Sequence, residues 1–272
     1  MLQEFLDRLL RERDPEDRRR QDPVEIVWDY RRPEDREVVA LVSSCLAYGR
    51  VDLLKEAIRT ALAPLGARPA ERLREGGADL AERWEGFVYR MTRGEDLADL
   101  FTGIARLLRE YGTLQEAYET TPGTGHLDKA SGFVRRLRNA RIRDGLERGF
   151  RYLLPDPGDG SACKRLHLFF RWVGRGPDGV DLGLWDAVDA SELRMPLDTH
   201  TSRISRYIGL TERKSVDAKM VEEVTDALRE LDPADPIKYD FAICHLGISE
   251  SCIHERSDEH CPTCPIEPIC TL

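Results

Sequence analysis

The sequence lacks any long hydrophobic run, and this excludes a chain that crosses a membrane as a helix. No apolar stretch approaches the roughly 20 residues that such a helix needs. The N-terminal segment MLQEFLDRLLRERDPEDRRR is amphipathic and carries both signs of charge, so it lacks the apolar centre of a signal peptide. Hydrophobic residues make up 41% and charged residues 33%, as in globular proteins. We expect no membrane partner and a cytoplasmic location.

Cysteine is scarce in this sequence, and basic residues do not outnumber acidic ones. Seven cysteines are too few and too clustered for a disulfide framework, and one would be left over. The formal net charge of −9 counts against binding to nucleic acid unless basic residues are locally concentrated. Between Arg135 and Arg151, seven arginines stand against only Asp144 and Glu147. This stretch is either a solvated helix face or a phosphate-binding surface.

Alternating strand patterns and solenoid repeats are also lacking, and helical periodicity dominates instead. Glycine and proline clusters mark the turns between the helical segments. The apolar spacing predicts helices over 2–10, 36–65 (two in succession, the second from Asp52), 97–111, 132–154, 161–173, 199–207 and 216–231.

Four cysteines stand close together near the end of the sequence. The spacing C-x8-C-x2-C-x5-C is formed by Cys252, Cys261, Cys264 and Cys270. Such short gaps allow one small loop to wrap a single soft metal ion or cluster. Zinc favours two close cysteine pairs and only one is present, so an iron–sulfur cluster fits better, while His254 and His260 keep zinc open. The remaining cysteines lie in apolar helical settings typical of core residues.

The segment HLGISESCIHERSDEHCPTCPIEPIC resembles the C-terminal [4Fe–4S] loop of the endonuclease III branch of helix-hairpin-helix DNA glycosylases. Its first cysteine gap is two residues longer than the usual one, and the other two gaps match. The resemblance implies a [4Fe–4S] cofactor held by the four cysteines and a substrate of double-stranded DNA containing a damaged base. It extends over 36–58 and 155–272, about half of the chain.

The segment MPLDTHTSRISRYIGL (195–210) resembles the aspartate segment of that family, which implies that Asp198 is catalytic. A fixed carboxylate beside C1′ of the sugar stabilises the positive charge that develops when the N-glycosidic bond breaks. Asp198 is also a favoured N-cap for a helix that begins at Thr199, and the two roles are compatible. His200 and Arg203 on this helix are expected DNA contacts.

The segment PDPGDGSACKRLHLFFRW (155–172) resembles the hairpin of the family and the helix that follows it. The resemblance implies that hairpin backbone amides hold a DNA phosphate. The DNA contacts expected here are Gly158, Gly160, Ser161 and Arg165.

The same resemblance implies that Lys164 is the nucleophile, desolvated and therefore partly neutral. Most relatives carry the lysine at the position of Ala162. The 34-residue gap between Lys164 and Asp198 is about twice the usual one and resembles that of archaeal 8-oxoguanine glycosylases. Taken by its spacing alone, Lys164 would be an ordinary solvated lysine.

The segment REVVALVSSCLAYGRVDLL (36–54) resembles the family's early helix, whose end contacts the lesion strand. This places Tyr48 and Arg50 among the expected DNA contacts, as an aromatic ring and a cation suited to a gapped base stack or a phosphate. An ordinary helix end with surface residues is the alternative.

Together these features predict an all-α, two-lobed helix-hairpin-helix glycosylase fold. One lobe would be a helical barrel of 36–193, and the other would join 1–35 to the cluster-bearing 194–272. The predicted function is a monomeric, nucleoid-associated DNA glycosylase, with or without AP lyase activity, that removes a damaged base such as 8-oxoguanine. The alternatives are a non-catalytic iron–sulfur nucleic-acid-binding protein of the same fold and a zinc-stabilised helical interaction module.

Overall fold

The computed structural model describes residues 2–12, 14–76, 82–141, 147–248, 255–264 and 266–272. Helix accounts for 64% of the structure, which confirms the mostly helical class. In the described residues the α-helices are α1 (Leu2–Arg11), α2 (Pro15–Arg20), α3 (Val24–Trp28), α4 (Pro33–Cys45), α5 (Val51–Leu62), α6 (Pro69–Glu75), α7 (Gly94–Tyr111), α8 (Leu114–Glu119), α9 (His126–Asn139), α10 (Arg148–Leu153), α11 (Lys164–Gly174), α12 (Thr199–Tyr207), α13 (Ala218–Leu231) and α14 (Asp240–Ile248). None of these helices has both the length and the apolarity needed to cross a membrane.

The helices predicted from periodicity mostly form, with shifted ends. Helix α12 has the predicted bounds, since Asp198 caps its start and Gly209, at φ 77°, follows its end. The single helix predicted over 132–154 is wrong, because α9 ends at Asn139 and α10 starts at Arg148. Helix α11 starts three residues later than predicted, because Cys163 adopts a left-handed conformation at φ 41°.

A small antiparallel hairpin was missed by the sequence patterns. Strand β1 (Val88–Tyr89) pairs with strand β2 (Thr92–Arg93), with Val88 opposite Arg93 and Tyr89 opposite Thr92. Two-residue strands are too short to show an alternating pattern. Sequence patterns also missed the helices α3, α6 and α8, because each is too short to show a clear periodicity. They missed α14 because its apolar residues do not lie on one face.

Helices α4 and α11 form the centre of the molecule. Every residue of 37–45 in α4 is buried, and α11 packs directly against it. Aromatic rings of Phe133, Phe169, Phe170 and Trp185 contact one another beside these helices. Buried apolar side chains from both predicted lobes belong to one contiguous cluster. The division between 36–193 and the rest of the chain stays a prediction.

Glu37 is a carboxylate within this core. It accepts hydrogen bonds from the amides of Leu114 (2.8 Å) and Gln115 (3.2 Å) and from the indole of Trp185 (3.0 Å). It therefore ties α4 to the start of α8 and to the segment carrying Trp185. Burial raises the pKa of Glu37 to about 7, even though these donors favour the carboxylate.

We expect Glu37→Ala to lower the free energy of unfolding by about 2–4 kcal/mol, because two buried donors and one partly buried donor lose their acceptor. The raised pKa means that the folded state holds the Glu37 proton more tightly than the unfolded state does. The contribution of Glu37 to stability is therefore largest below about pH 4.5 and declines as pH rises through about 7. Urea denaturation should accordingly give a larger deficit near pH 5 than near pH 8. Glu56→Ala, at an exposed position of α5, is the control, and an equal loss in both variants would contradict the prediction.

Candidate active site

A cleft of about 1090 Å³ opens between the α2–α3 turn, the α4–α5 turn and the first residues of α11, α12 and α14. It gathers side chains that are far apart in the sequence. Six residues predicted from the sequence line it: Tyr48, Arg50, Lys164, Arg165, Asp198 and His200.

The predicted nucleophile and the predicted catalytic carboxylate are in direct contact. Lys164 Nζ donates to Asp198 Oδ2 at 2.7 Å. The two side chains are 29% and 27% exposed, so they are accessible from the cleft without being fully solvated. Lys164 is the first residue of α11 and Asp198 immediately precedes α12, so two helix starts face each other.

Asp198 uses its other oxygen to cap α12. Asp198 Oδ1 accepts from the amides of His200 (2.8 Å) and Thr201 (3.0 Å), and the hydroxyl of Thr201 accepts from the amide of Asp198 (2.7 Å). The helix N-terminus thus fixes the carboxylate and leaves Oδ2 for Lys164. The Asp198 carboxylate therefore both caps α12 and faces the cleft.

Charge attraction outweighs burial in this pair. Burial disfavours the ammonium, but the Asp198 carboxylate more than offsets it and raises the pKa of Lys164 above its ordinary value. Burial likewise opposes the carboxylate, yet Lys164 and the capping amides lower the pKa of Asp198. The pair therefore stabilises the fold fully between about pH 4 and about pH 10, and this stability is lost outside that window. The expectation of a partly neutral lysine is wrong for this state, in which both groups are charged.

The turn before Lys164 is held by Asp156. Its carboxylate accepts from the amide of Gly158 (2.9 Å) and from Arg135 Nε (3.0 Å). The turn then ends at Cys163, whose left-handed backbone costs a non-glycine residue roughly 1 kcal/mol. Burial raises the pKa of the Cys163 thiol to about 11, so this residue remains a neutral thiol.

Gly158, Gly160 and Ser161 are exposed on this turn, as a phosphate-binding surface requires. However, the amide of Gly158 already donates to Asp156 Oδ1, and the amide of Gly160 donates to the carbonyl of Pro157. A Cβ added to Gly160 would meet no atom within 4 Å, so the surface is open. A phosphate would have to compete for these two amides.

The described arginines of the stretch 135–151 divide between internal contacts and exposed positions. Arg138 is buried and donates to the carbonyl of Leu154, while Arg136 donates to the carbonyl of Thr120 at 2.9 Å. Arg148 and Arg151 are exposed, and Arg143 lies outside the described residues. The interpretation of the whole stretch as a phosphate-binding surface is therefore wrong for the buried Arg138 and stays a prediction for the exposed members.

Arg165 and Tyr48 contact each other instead of projecting into solvent. The guanidinium of Arg165 lies 5.0 Å from the ring centre of Tyr48 and 4.4 Å from that of Tyr152. Arg165 also donates to the carbonyl of Cys45 at 2.8 Å, which joins α11 to the end of α4. Arg165 lines the cleft, and its donors and its flat face are engaged within the protein, so its assignment as a DNA contact stays a prediction.

The other predicted DNA contacts differ in exposure. Arg50 is 75% exposed at the cleft and pairs with Asp52 at 2.6 Å. His200 is exposed on the first turn of α12 and lines the cleft. Arg203 lies on the next turn of the same helix, is half-buried, and is not among the cleft-lining residues.

Sequence reasoning missed a group of charged residues that also line the cleft. Arg171 Nε pairs with Asp181 at 3.1 Å, and its NH1 group pairs with Asp240. Burial raises the pKa of Asp240 to about 6, although Arg171 and Lys164 both oppose the shift. Burial raises the pKa of Cys244 to about 12, so its thiol stays protonated at neutral pH. One signal was available, since Arg171 lies seven residues after Lys164 and therefore on the same face of α11.

The cysteine loop is described in part, and Cys252 lies outside the described residues. A short helical turn joins Cys261 to Cys264, and the amide of Ser257 donates to Cys261 Sγ at 3.2 Å. The loop is fixed to α12, because the amide of Thr271 donates to the carbonyl of Tyr207 at 2.7 Å. In the described part of the chain, no three His, Cys, Asp or Glu side chains converge closely enough to hold a metal. The donor set of Cys261, Cys264 and Cys270 fits a cluster in its chemistry, although the three thiols are not drawn together.

We expect Asp198→Asn to keep α12 capped but to lower the pKa of Lys164. The amide oxygen can replace Oδ1 on the capping amides, while the negative charge opposite Lys164 disappears. Titration of ¹³C-dimethylated lysines by NMR, with Lys164→Arg to assign the signal, should show the Lys164 resonance titrating at lower pH in the variant. An unchanged titration in a folded Asp198→Asn protein would mean that the ion pair does not hold the proton on Lys164.

Comparison with known proteins gives a family but no activity. No curated protein and no solved structure matches the chain. Residues 22–249 match the family described as "Protein of unknown function (DUF2400)", and this span includes the Lys164–Asp198 pair and most of the cleft. The chain therefore belongs to the DUF2400 family.

Proposed function

We propose that this protein is a DNA glycosylase of base-excision repair. Its substrate would be double-stranded DNA with a damaged, oxidised base such as 8-oxoguanine, and its fold would be the two-lobed helix-hairpin-helix one. The observation that carries the proposal is the 2.7 Å contact between Lys164 Nζ and Asp198 Oδ2 inside a cleft of about 1090 Å³. A cleft of this size can accept an everted nucleotide, and an amine beside a carboxylate is the pair that the reaction needs.

The first step would be a proton transfer within the pair. In the free protein Lys164 is an ammonium and cannot attack carbon. When a nucleotide fills the cleft and displaces water, two charges become costly to keep, and the neutral amine and carboxylic acid become favourable. Lys164 then has a lone pair available, and Asp198 holds the proton.

The second step would exchange bonds at C1′ of the sugar. Lys164 Nζ forms a bond to C1′ as the N-glycosidic bond breaks, and the electron pair of that bond leaves with the base. The departing base takes the proton from Asp198, which restores a carboxylate beside the positively charged sugar. Transfer of a proton from the attached nitrogen to the ring oxygen opens the sugar to a Schiff base.

Two outcomes are then open to the same pair. Water can release the Schiff base, or Asp198 can remove a proton from C2′ so that the 3′-phosphate leaves and the strand is cut. The second outcome is AP lyase activity. After elimination the proton on Asp198 passes to the leaving phosphate and water hydrolyses the unsaturated Schiff base, so both outcomes end with Lys164 and Asp198 in their starting forms.

The cysteine loop would carry a [4Fe–4S] cluster with a structural or DNA-facing role. The proposal is supported by the sequence spacing and by three thiols in one loop that is hydrogen bonded to α12. Four cysteine ligands leave no open position on a cluster, so no step of base removal is assigned to it.

A non-catalytic nucleic-acid-binding protein of the same fold is the second candidate. Ala162 stands at the usual lysine position, and Lys164 is paired and charged in the free protein. The protein would then bind nucleic acid without breaking a glycosidic bond, in a cytoplasmic, nucleoid-associated setting.

We expect borohydride to trap the wild-type protein on a lesion-containing duplex and to trap no Lys164→Ala protein. Lys164→Ala should still bind the duplex, because the lysine acts after the base is everted. Lys219→Ala, at an exposed lysine of α13, is the matched control and should be trapped like the wild type. Asp198→Asn should lose excision by roughly 10²-fold or more. Trapping of Lys164→Ala would assign the nucleophile to another amine, and no trapping of any variant on any lesion would favour the non-catalytic candidate.

We expect about four irons per chain and a brown colour after anaerobic purification. Cys261→Ser and Cys264→Ser should lose the colour and much of the soluble protein, because the loop cannot fold around a missing ligand. Cys45→Ala changes a buried thiol outside the loop and should keep the iron. Stoichiometric zinc without iron would overturn the cluster in favour of a zinc site.

A further inference from the structure

The tip of the β1–β2 hairpin exposes apolar side chains at the rim of the cleft. Tyr89 and Thr92 face the protein and are buried, whereas Val88 is 58% and Met91 is 49% exposed. Arg90, which forms the turn together with Met91, lines the cleft. An apolar side chain held in water beside a binding cleft adds nothing to the core and is typical of a contact surface.

The hairpin is rigidly supported from behind by Tyr48. The hydroxyl of Tyr48 lies 2.8 Å from Thr92 Oγ1 and 3.1 Å from the carbonyl of Tyr89. The hydroxyl of Tyr89 donates in return to the carbonyl of Tyr48, and the two ring centres are 5.0 Å apart. Tyr48 was expected to stack on DNA, but its ring and hydroxyl instead position the hairpin. The apolar group that reaches outward at this point is Met91.

Three exposed arginines lie around the tip, of which Arg50 pairs with Asp52. Arg90 and Arg93 are exposed on the hairpin, and Arg50 is exposed on the neighbouring α4–α5 turn. The turns are in close contact, since a Cβ added to Gly49 would lie 2.7 Å from Arg90 Nε. An apolar tip among arginines is complementary to a base stack flanked by phosphates.

Arg90 adopts a backbone conformation that suits glycine better. Its φ of 52° lies in the left-handed region, where a non-glycine side chain is strained. A residue kept in such a conformation, with its side chain exposed at a cleft, is typical of a binding role.

We propose that the Arg90–Met91 turn binds duplex DNA at an interruption of the base stack, with Met91 filling the gap that an everted or missing base leaves. Arg90 and Arg50 bind the flanking phosphates. This inference rests on the proposed function, since it requires that DNA be the ligand of the cleft. In this proposal the hairpin recognises the gap, and Tyr48 only supports the hairpin.

The test compares the affinity of each variant for two duplexes by fluorescence anisotropy: one intact, one with a tetrahydrofuran abasic analogue. The wild type should prefer the duplex with the analogue. Met91→Ala should bind that duplex about tenfold more weakly, with less than a twofold change for the intact duplex. Leu272→Ala truncates a similarly exposed apolar side chain outside the cleft lining and should behave as the wild type.

The outcomes separate the two proposals. A wild type that binds neither duplex overturns the proposed function and this inference with it. A wild type that prefers the gapped duplex, with Met91→Ala keeping that preference, overturns the inference alone. Arg90→Gly supplies a second check, because it should leave the thermal midpoint unchanged or raise it while weakening binding to both duplexes. Arg90→Gly that binds both duplexes as tightly as the wild type would also overturn the inference.

Discussion

The cleft depends on ion pairs between cationic side chains of α11 and carboxylates from distant parts of the chain. Lys164 pairs with Asp198 at the start of α12, and Arg171 pairs with Asp240 at the start of α14. Arg175, immediately after the end of α11, pairs with Asp235 in the segment before α14. Removing one member of a buried pair leaves an uncompensated charge, which is far more destabilising than the pair is stabilising. The central helix therefore sets the positions of α12 and α14, and the cleft is the space between their first turns.

The Lys164–Asp198 pair serves the fold and the proposed reaction in opposite ways. For the fold, the charged pair in partly solvated surroundings is favourable, and Asp198 gains a second role as the cap of α12. For the reaction, the lysine must lose its proton, which requires an environment drier than that of the free protein. Substrate binding supplies that environment, so the fold needs no lysine with a lowered pKa at rest. A protein that kept Lys164 neutral without substrate would lose the attraction that fixes α12.

The sequence predicted features that depend on neighbouring residues and missed features that depend on distant ones. The bounds of α12 followed from a capping aspartate and a terminal glycine, both local signals. The internal contacts of Arg165 and Tyr48 were not predicted, because nothing in the spacing indicates that Tyr152 lies against the same guanidinium. The pairing of Arg171 with Asp240 joins residues 69 positions apart, and periodicity carries no information about such a partner. The resemblance placed Lys164 and Asp198 in one site, but their direct contact could be known only from the fold.

The distribution of positive charge limits how the protein could bind DNA under the proposed function. Arg136 and Arg138 donate to carbonyls and Arg135 pairs with Asp156, so part of the most basic stretch of the sequence is engaged within the protein, while Arg148 and Arg151 are exposed. With a formal net charge of −9, the exposed arginines that remain near the cleft give weak attraction to intact duplex. Under the proposed function, tight binding would therefore have to come from contacts that only a damaged duplex offers. If the proposed function holds, selectivity for an interrupted base stack is the expected consequence of an acidic protein whose cleft has exposed arginines beside an apolar tip.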